Sequence, residues 1–438
     1  MQGKQTSDLA LLGGDPVIRA PLRPYRSMGE AEKQAVLEVM DSGKLSGFYG
    51  SPGPEFLGGP KVKAFEELWR QRYGVAHAVS VNSATSGLIA AIGAIGVNPG
   101  DEVIVPPWTM SATVVAPLFY GAIPVFADVD RRTFCLDPNA VREAITPRTR
   151  AILAVNLFGH PAPLRELADL AREKNLYLIE DSAQSPWAMD EHGQRAGTVG
   201  DIGVYSLNYH KHIHTGEGGM CVTDDADLAQ RLRLIRNHGE NAVTGEDVDS
   251  LVNIVGFNFR MTELSAAIGI AQLNQIDDHV VARERVAVRL TEEVQNLEGL
   301  YPPAVRDGCR HNYYCWTMRF DAARLGVTRA TFSAALAAEG FPHAVGYVKP
   351  LYLLPLFRKR VAFGRHGWPF TPASQRYEKG LCPVTERLHE HEAIVFEPCA
   401  YEISEGEVAQ LGEALRKVHR NLAALREYEQ ANGEKRAR

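Results

Sequence analysis

From residue 77 onward the chain alternates short, unbroken apolar runs with longer amphipathic stretches, and this alternation limits the fold more than any other feature. HAVSV leads into NSATSGLIAAIGAIG, EVIVPP into TMSATVVAPLFYG, PVFADV into DRRT and LDPNAVREAI, and AILAVNLFG into PAPLRELADLAREKN. Apolar runs of this kind suit strands covered on both faces, and the stretches between them suit the crossovers that parallel strands require. In the fourth crossover Leu164, Leu167, Ala168 and Ala171 recur at helical spacing. LYLIED then reads as a strand ending on two carboxylates, Glu180 and Asp181, at the sheet edge where open α/β folds bind ligands. The expected fold class is α/β, with a large, mostly parallel-sheet domain.

Around that repeat the pattern changes. A first helix is expected after Ser27, carrying Ala31, Val36, Leu37 and Val39. LSGFYGSPGPEFLGGP is too rich in Gly and Pro for a helix, and its aromatics either line a ligand entrance or anchor turns. After DIGVYS the polar connection NYHKHIHTGEGG leads to MCVTDD, and a long helical passage follows GFNFR. Leu300, Pro302, Pro303 and Gly308 interrupt that rhythm. The expected organisation is an arm (1–27), a large domain (28–290), a smaller C-terminal α+β domain (291–425) carrying an irregular insertion within 342–382, and a polar tail (426–438).

Composition excludes several function classes. Against 47 Lys and Arg stand 53 Asp and Glu, a net charge of −6, so no nucleic-acid partner is expected. Six cysteines without a CxxC pair read as reduced thiols of a cytoplasmic protein. The first residues lack the apolar core of a signal peptide, and no run of some twenty apolar residues calls for a membrane. The histidines of HKHIH alternate without supplying a closed ligand set, so no metal is expected.

The chemistry lies in an ordered set of motifs: SATS at 83–86, Trp108, EDSAQ at 180–184, SLNYHK at 206–211, GEGG at 216–219 and GFNFR at 256–260. Together these resemble the DegT/DnrJ/EryC1/StrS family of pyridoxal-phosphate (PLP)-dependent enzymes, mostly aminotransferases acting on nucleotide-linked keto sugars or on keto cyclitols. The resemblance covers most of the chain. It implies an aspartate-aminotransferase-like fold (fold type I) and a homodimer with shared active sites.

Residue by residue, the resemblance makes Lys211, five positions after Ser206, the Schiff-base lysine, a role that needs a reversible nucleophile able to move a proton. It makes Asp181 the partner of the pyridine nitrogen and sets Gln184 near the cofactor hydroxyl. Ala84 and Thr85, at a helix start, and Ser206 would take the phosphate, joined by Asn258 from the other subunit. Trp108 would lie against the pyridine ring. Glutamate or glutamine is the expected amino donor, and a nucleotide-linked keto sugar or a keto cyclitol the acceptor. A lysine at 211 speaks against the family's dehydratases, which carry histidine there, so a PLP-dependent dehydratase or lyase is the alternative and a non-catalytic regulatory role a weaker one. Many family members have His where this chain has Asn156, which questions a transferred substrate contact.

Overall fold

The computed structural model describes residues 8–243, 250–371 and 374–436. Residues 1–7 of the expected arm, 244–249 of the polar loop, 372–373 of the insertion and 437–438 of the tail lie outside the described residues.

After a two-residue strand β1 (Arg23–Pro24), the apolar runs become β2 (His77–Val81), β3 (Glu102–Val105), β4 (Ile123–Phe126), β5 (Thr149–Val155), β6 (Tyr177–Asp181), β7 (Ile202–Ser206) and β8 (Gly219–Thr223). β2 to β8 form one seven-stranded sheet in the order β2-β8-β7-β6-β5-β3-β4, in which β8 alone runs opposite to the rest. Nearly every residue of these strands is buried, as expected for a sheet packed on both faces. One face meets the helix Ala84–Ala94 and the other the helix Leu164–Lys174. Two glycines permit close approaches: a Cβ at Gly203 would overlap the Gly197 carbonyl, and one at Gly219 would stand 2.8 Å from the amide nitrogen of Ala84. The second glycine brings β8 against the start of the Ala84–Ala94 helix.

The later sheet holds β9 (Leu300–Tyr301), β10 (Trp316–Phe320), β11 (Ala344–Val345) and β12 (Ala393–Phe396), all antiparallel, in the order β11-β12-β10-β9. Trp316, Met318, Phe320, Phe332, Leu336, Phe396, Leu411 and Leu415 form its core. The chain's beginning packs into this same core through Leu9, Ile18 and Leu22, and β1 pairs with β13 (Tyr401–Glu402). The helix Ile276–Val294 spans the expected boundary: Ile276 and Val280 join the cluster under the large sheet, whereas Val286, Leu290 and Val294 join the C-terminal one. Within the stretch expected as a polar tail, the helix Leu422–Arg436 continues.

The insertion packs on the large sheet. Tyr352, Phe357 and Tyr377 surround Phe126 of the edge strand β4 edge-on, with ring centres 5.3–5.7 Å apart. The Gln375 amide accepts from the Phe126 N–H at 2.8 Å and donates to the Phe126 carbonyl at 3.1 Å, completing the hydrogen bonds that a further strand would make. The Tyr377 hydroxyl donates to the Pro124 carbonyl at 2.9 Å.

Candidate active site

The C-terminal ends of β2, β6 and β7 and the start of β8 converge on a cavity of about 210 Å³. Ser83, Ala84, Thr85, Asp181, Gln184, Ser206 and Lys211 all line it, so one site gathers seven residues drawn from motifs more than a hundred positions apart.

Ser83 caps the helix Ala84–Ala94 by accepting the Ser86 amide at 3.1 Å, and the first intrahelical bond is Gly87 N–H to the Ser83 carbonyl. The amides of Ala84 and Thr85 precede that bond and face an end of positive potential. With the hydroxyls of Thr85 and Ser206 they make a donor set suited to an anion. Asn208 closes this side. Its amide donates to Glu217 at 2.9 Å and its N–H to the Ser206 hydroxyl at 3.3 Å, while its Oδ1 is buried without a partner among the described residues.

Lys211 is buried, and its Nζ lies 4.3 Å from the centre of the Tyr314 ring. Burial holds its amine below the ordinary lysine value, opposed by the charge of Asp181. Asp181 shows the converse: burial pushes its carboxyl up, while the Thr113 hydroxyl, the Ala183 amide and Lys211 hold it down. Thr113 donates to Oδ2 at 2.7 Å and Ala183 N–H to Oδ1 at 3.1 Å. The neighbouring Glu180 points the other way, as alternation along a strand requires. It accepts N–H bonds from Gly197, Val199 and Gly200 at 2.6–2.8 Å and one from Asn156 at 3.0 Å. Of the two carboxylates expected at the sheet edge, only Asp181 reaches the cavity.

Gln184 is oriented by its neighbours. Its Oε1 accepts the Phe158 amide at 2.7 Å, so its amide nitrogen faces the Tyr347 hydroxyl, 3.0 Å away.

Two of the expected cofactor contacts lie elsewhere in this chain. Trp108 is fully buried among Phe134, Phe158 and Tyr347 and does not line the cavity. The chain turns after Pro107, and Thr109 and Met110, the latter 60% exposed, line the cavity wall. Asn258 is also outside the cavity, bonded through Oδ1 to Arg260 at 2.7 Å and through its carbonyl to the Asn82 amide at 3.3 Å; its expected contact was with the other subunit's site. Asn156, bonded to Glu180, Ser182 and the Ala162 amide, is wholly buried and shaped for support of the β5 end.

The three histidines beside Lys211 separate. His210 lines the cavity, and desolvation with the nearby Lys211 charge holds it down to about 4. His212 is buried and donates from Nε2 to the Asn312 carbonyl at 2.9 Å, and Nε2 of His214 meets the Ser27 hydroxyl at 2.8 Å. Among the described residues no group of His, Cys, Asp or Glu is arranged to hold a metal ion, and no helix is long and apolar enough to cross a membrane. Sequence reasoning missed Thr113, Tyr314 and Tyr347, which reach the site from distant segments.

A family model described as the DegT/DnrJ/EryC1/StrS aminotransferase family matches residues 26–416. An L-glutamine:2-deoxy-scyllo-inosose aminotransferase of Streptoalloteichus tenebrarius is 34% identical over 445 residues, covering 95% of this chain and 99% of its own. A GDP-perosamine synthase of Caulobacter vibrioides is 37% identical over 325 residues, covering 74% of this chain and 83% of its own. Among solved structures, DesI in the presence of its TDP-sugar product superposes with a TM-score of 0.78 at 31% identity, covering 97% of this chain and 99% of that one.

Proposed function

The chain belongs to the DegT/DnrJ/EryC1/StrS aminotransferase family, a PLP-dependent aminotransferase of fold type I, and from that premise we propose that it moves an amino group from glutamine or glutamate to a keto cyclitol. One observation carries the choice of acceptor, the extent of the match: the 2-deoxy-scyllo-inosose enzyme spans 95% of this chain and 99% of its own, whereas the GDP-perosamine synthase spans 74% and 83%.

The donor set fits PLP. The Ala84 and Thr85 amides with the Thr85 and Ser206 hydroxyls would hold its phosphate, Asp181 its ring nitrogen, Gln184 its ring oxygen and Lys211 its aldehyde, while Met110 and Ala183 are apolar side chains available beside the ring. When bound, the cofactor supplies an electron sink for the carbon that gains or loses the amino group. The protein does the rest. Burial lowers the pKa of the Lys211 amine, which eases loss of its proton; an unprotonated amine is nucleophilic and can also carry a proton between neighbouring carbon atoms. Asp181, fixed by Thr113 and Ala183, would face the ring nitrogen, and those hydrogen bonds and the Lys211 charge favour its ionised form against burial.

The assembly proposed is a homodimer with shared sites, to which Asn258 contributes across the interface. Leu37, Met40, Tyr49, Leu251, Val252 and Val255 are exposed apolar side chains available to such an interface. The six cysteines are free thiols, which supports a cytoplasmic setting.

The test is a donor-and-acceptor matrix read by product mass spectrometry. Glutamine and glutamate are offered against 2-deoxy-scyllo-inosose, scyllo-inosose and nucleotide keto sugars. Amination confined to nucleotide-linked sugars would overturn the acceptor proposed, and sustained dehydration without an amino donor would favour the dehydratase alternative.

A further inference from the structure

Trp108 does not line the cavity, yet it ties the segment after β3 to the loop that carries Tyr347. Its indole N–H is shared between the carbonyls of Val348, at 2.8 Å, and Gly346, at 3.2 Å, which flank Tyr347. Tyr347 has φ = +51°, a left-handed conformation that a bulky residue adopts only when its surroundings impose it. The same loop is fastened on either side: His389 Nδ1 bonds the Gly346 carbonyl at 2.7 Å, Gly346 N–H donates to Ala393 at 3.0 Å, and Leu351 N–H donates to Pro107 at 2.8 Å. The Tyr347 ring then packs edge-on against Trp108 and Phe158, with ring centres 5.8 and 4.8 Å away. Its hydroxyl lines the cavity, where it accepts the N–H of Gln184 at 3.0 Å. A phenol that accepts there has its own hydrogen left to donate, and burial keeps that phenol protonated.

We propose that Trp108 is a positioning residue: by bridging the carbonyls on both sides of Tyr347 it fixes that residue's left-handed backbone, and so presents the Tyr347 hydroxyl to an oxygen of the acceptor. The clamp stands on the geometry alone, while the identity of the bonded oxygen rests on the keto-cyclitol reading. Trp108→Phe retains an aromatic ring and removes the bridging N–H. Trp316 is the control, a buried indole that donates to the Thr291 hydroxyl at 3.1 Å within the C-terminal core.

The clamp is tested on the apoprotein by hydrogen exchange of peptides covering residues 344–351. Trp108→Phe is expected to speed exchange there by about tenfold or more, and Trp316→Phe to leave it unchanged. Unaltered exchange in Trp108→Phe overturns the clamp. The ligand arm uses holoenzyme and 2-deoxy-scyllo-inosose. Tyr347→Phe and Trp108→Phe should each raise the acceptor KM about tenfold with kcat little changed, and the double variant should be no worse than Tyr347→Phe alone. An unchanged acceptor KM in Tyr347→Phe, or effects that multiply in the double variant, overturns the positioning role. Should Trp108→Phe not fold, Tyr347→Phe still decides the acceptor contact through its KM, and slow exchange of the parent's Trp108 indole N–H decides the clamp, fast exchange overturning it. Absence of wild-type turnover on every acceptor would sink the functional reading, and the exchange result would still decide the clamp.

Discussion

The Lys211 Nζ stands 4.3 Å from the centre of the Tyr314 ring, on the wall of a cavity to which the strand ends contribute Asp181 and Ser206. The ring favours a cation weakly through its face, but it also keeps water from the amine, and burial is the larger influence on Lys211. Tyr314→Ala is therefore expected to raise the lysine pKa. The pH midpoint for covalent capture of PLP by the apoprotein, followed by absorbance, should move up by roughly one unit, and capture at neutral pH should slow. A midpoint that stays put or falls would mean that the ring does not control solvation of the amine.

Lys211→Met should stabilise the apoprotein. The folded-state pKa of Lys211 lies below its ordinary 10.5, so burial costs stability in full at pH values below the folded pKa, where the lysine is charged in both states. As pH rises from the folded pKa toward the ordinary one, the folded state sheds its proton first and the cost fades. The thermal midpoint of apo Lys211→Met should exceed that of the parent most at neutral pH and converge with it in alkali. The same variant should give no pyridoxyl-labelled peptide after borohydride reduction, whereas the parent should carry the label on Lys211.

Much of this site was legible because its residues sit at fixed steps from strand ends. Ser206 closes β7, Asp181 closes β6, and SATS opens the helix after β2; the strand pattern put Asp181 at the edge, and the family resemblance singled out Ser206 and SATS. Trp108 was not, since beyond Pro107 the chain has left β3 and no period says which of Trp108, Thr109 and Met110 faces the cavity. Tyr314 and Tyr347 arrive through long-range packing, for which local pattern carries no signal. The separate fates of Glu180 and Asp181 were available in the twofold alternation of a strand, and were obscured by treating them as a pair. The insertion, read as irregular, is ordered by its aromatic contacts with Phe126 rather than by any periodicity of its own.

If Asn258 serves the partner's site, mixed dimers report it. A Lys211→Ala chain paired with an Asn258→Ala chain would hold one site with both defects and one with neither. Verified, cofactor-loaded mixed dimers should recover close to half the activity of the wild-type dimer from two weakly active parents. Failure to recover activity, alongside recovery in a wild-type/mutant control, would put Asn258 to work within its own chain.

Adjacent carboxylates on opposite faces of β6 should give opposite phenotypes. Glu180→Gln replaces an acceptor of three backbone N–H groups with an amide that brings donors of its own, at a site closed to water. Each N–H left unsatisfied costs roughly 1–3 kcal/mol, so the variant should lose stability in denaturant unfolding while the folded fraction keeps its turnover. Asp181→Asn preserves the shape and can still accept from Thr113 or Ala183, but it removes the carboxylate that the proposed role sets against the ring nitrogen. Its fold should persist, and both half-reactions should slow on the order of 10²-fold or more, read by stopped-flow absorbance with glutamine and then with the keto acceptor. Near-normal half-reactions in Asp181→Asn at full cofactor occupancy would make it a structural residue like its neighbour, and a stable Glu180→Gln would mean that the 197–200 turn does not depend on that carboxylate.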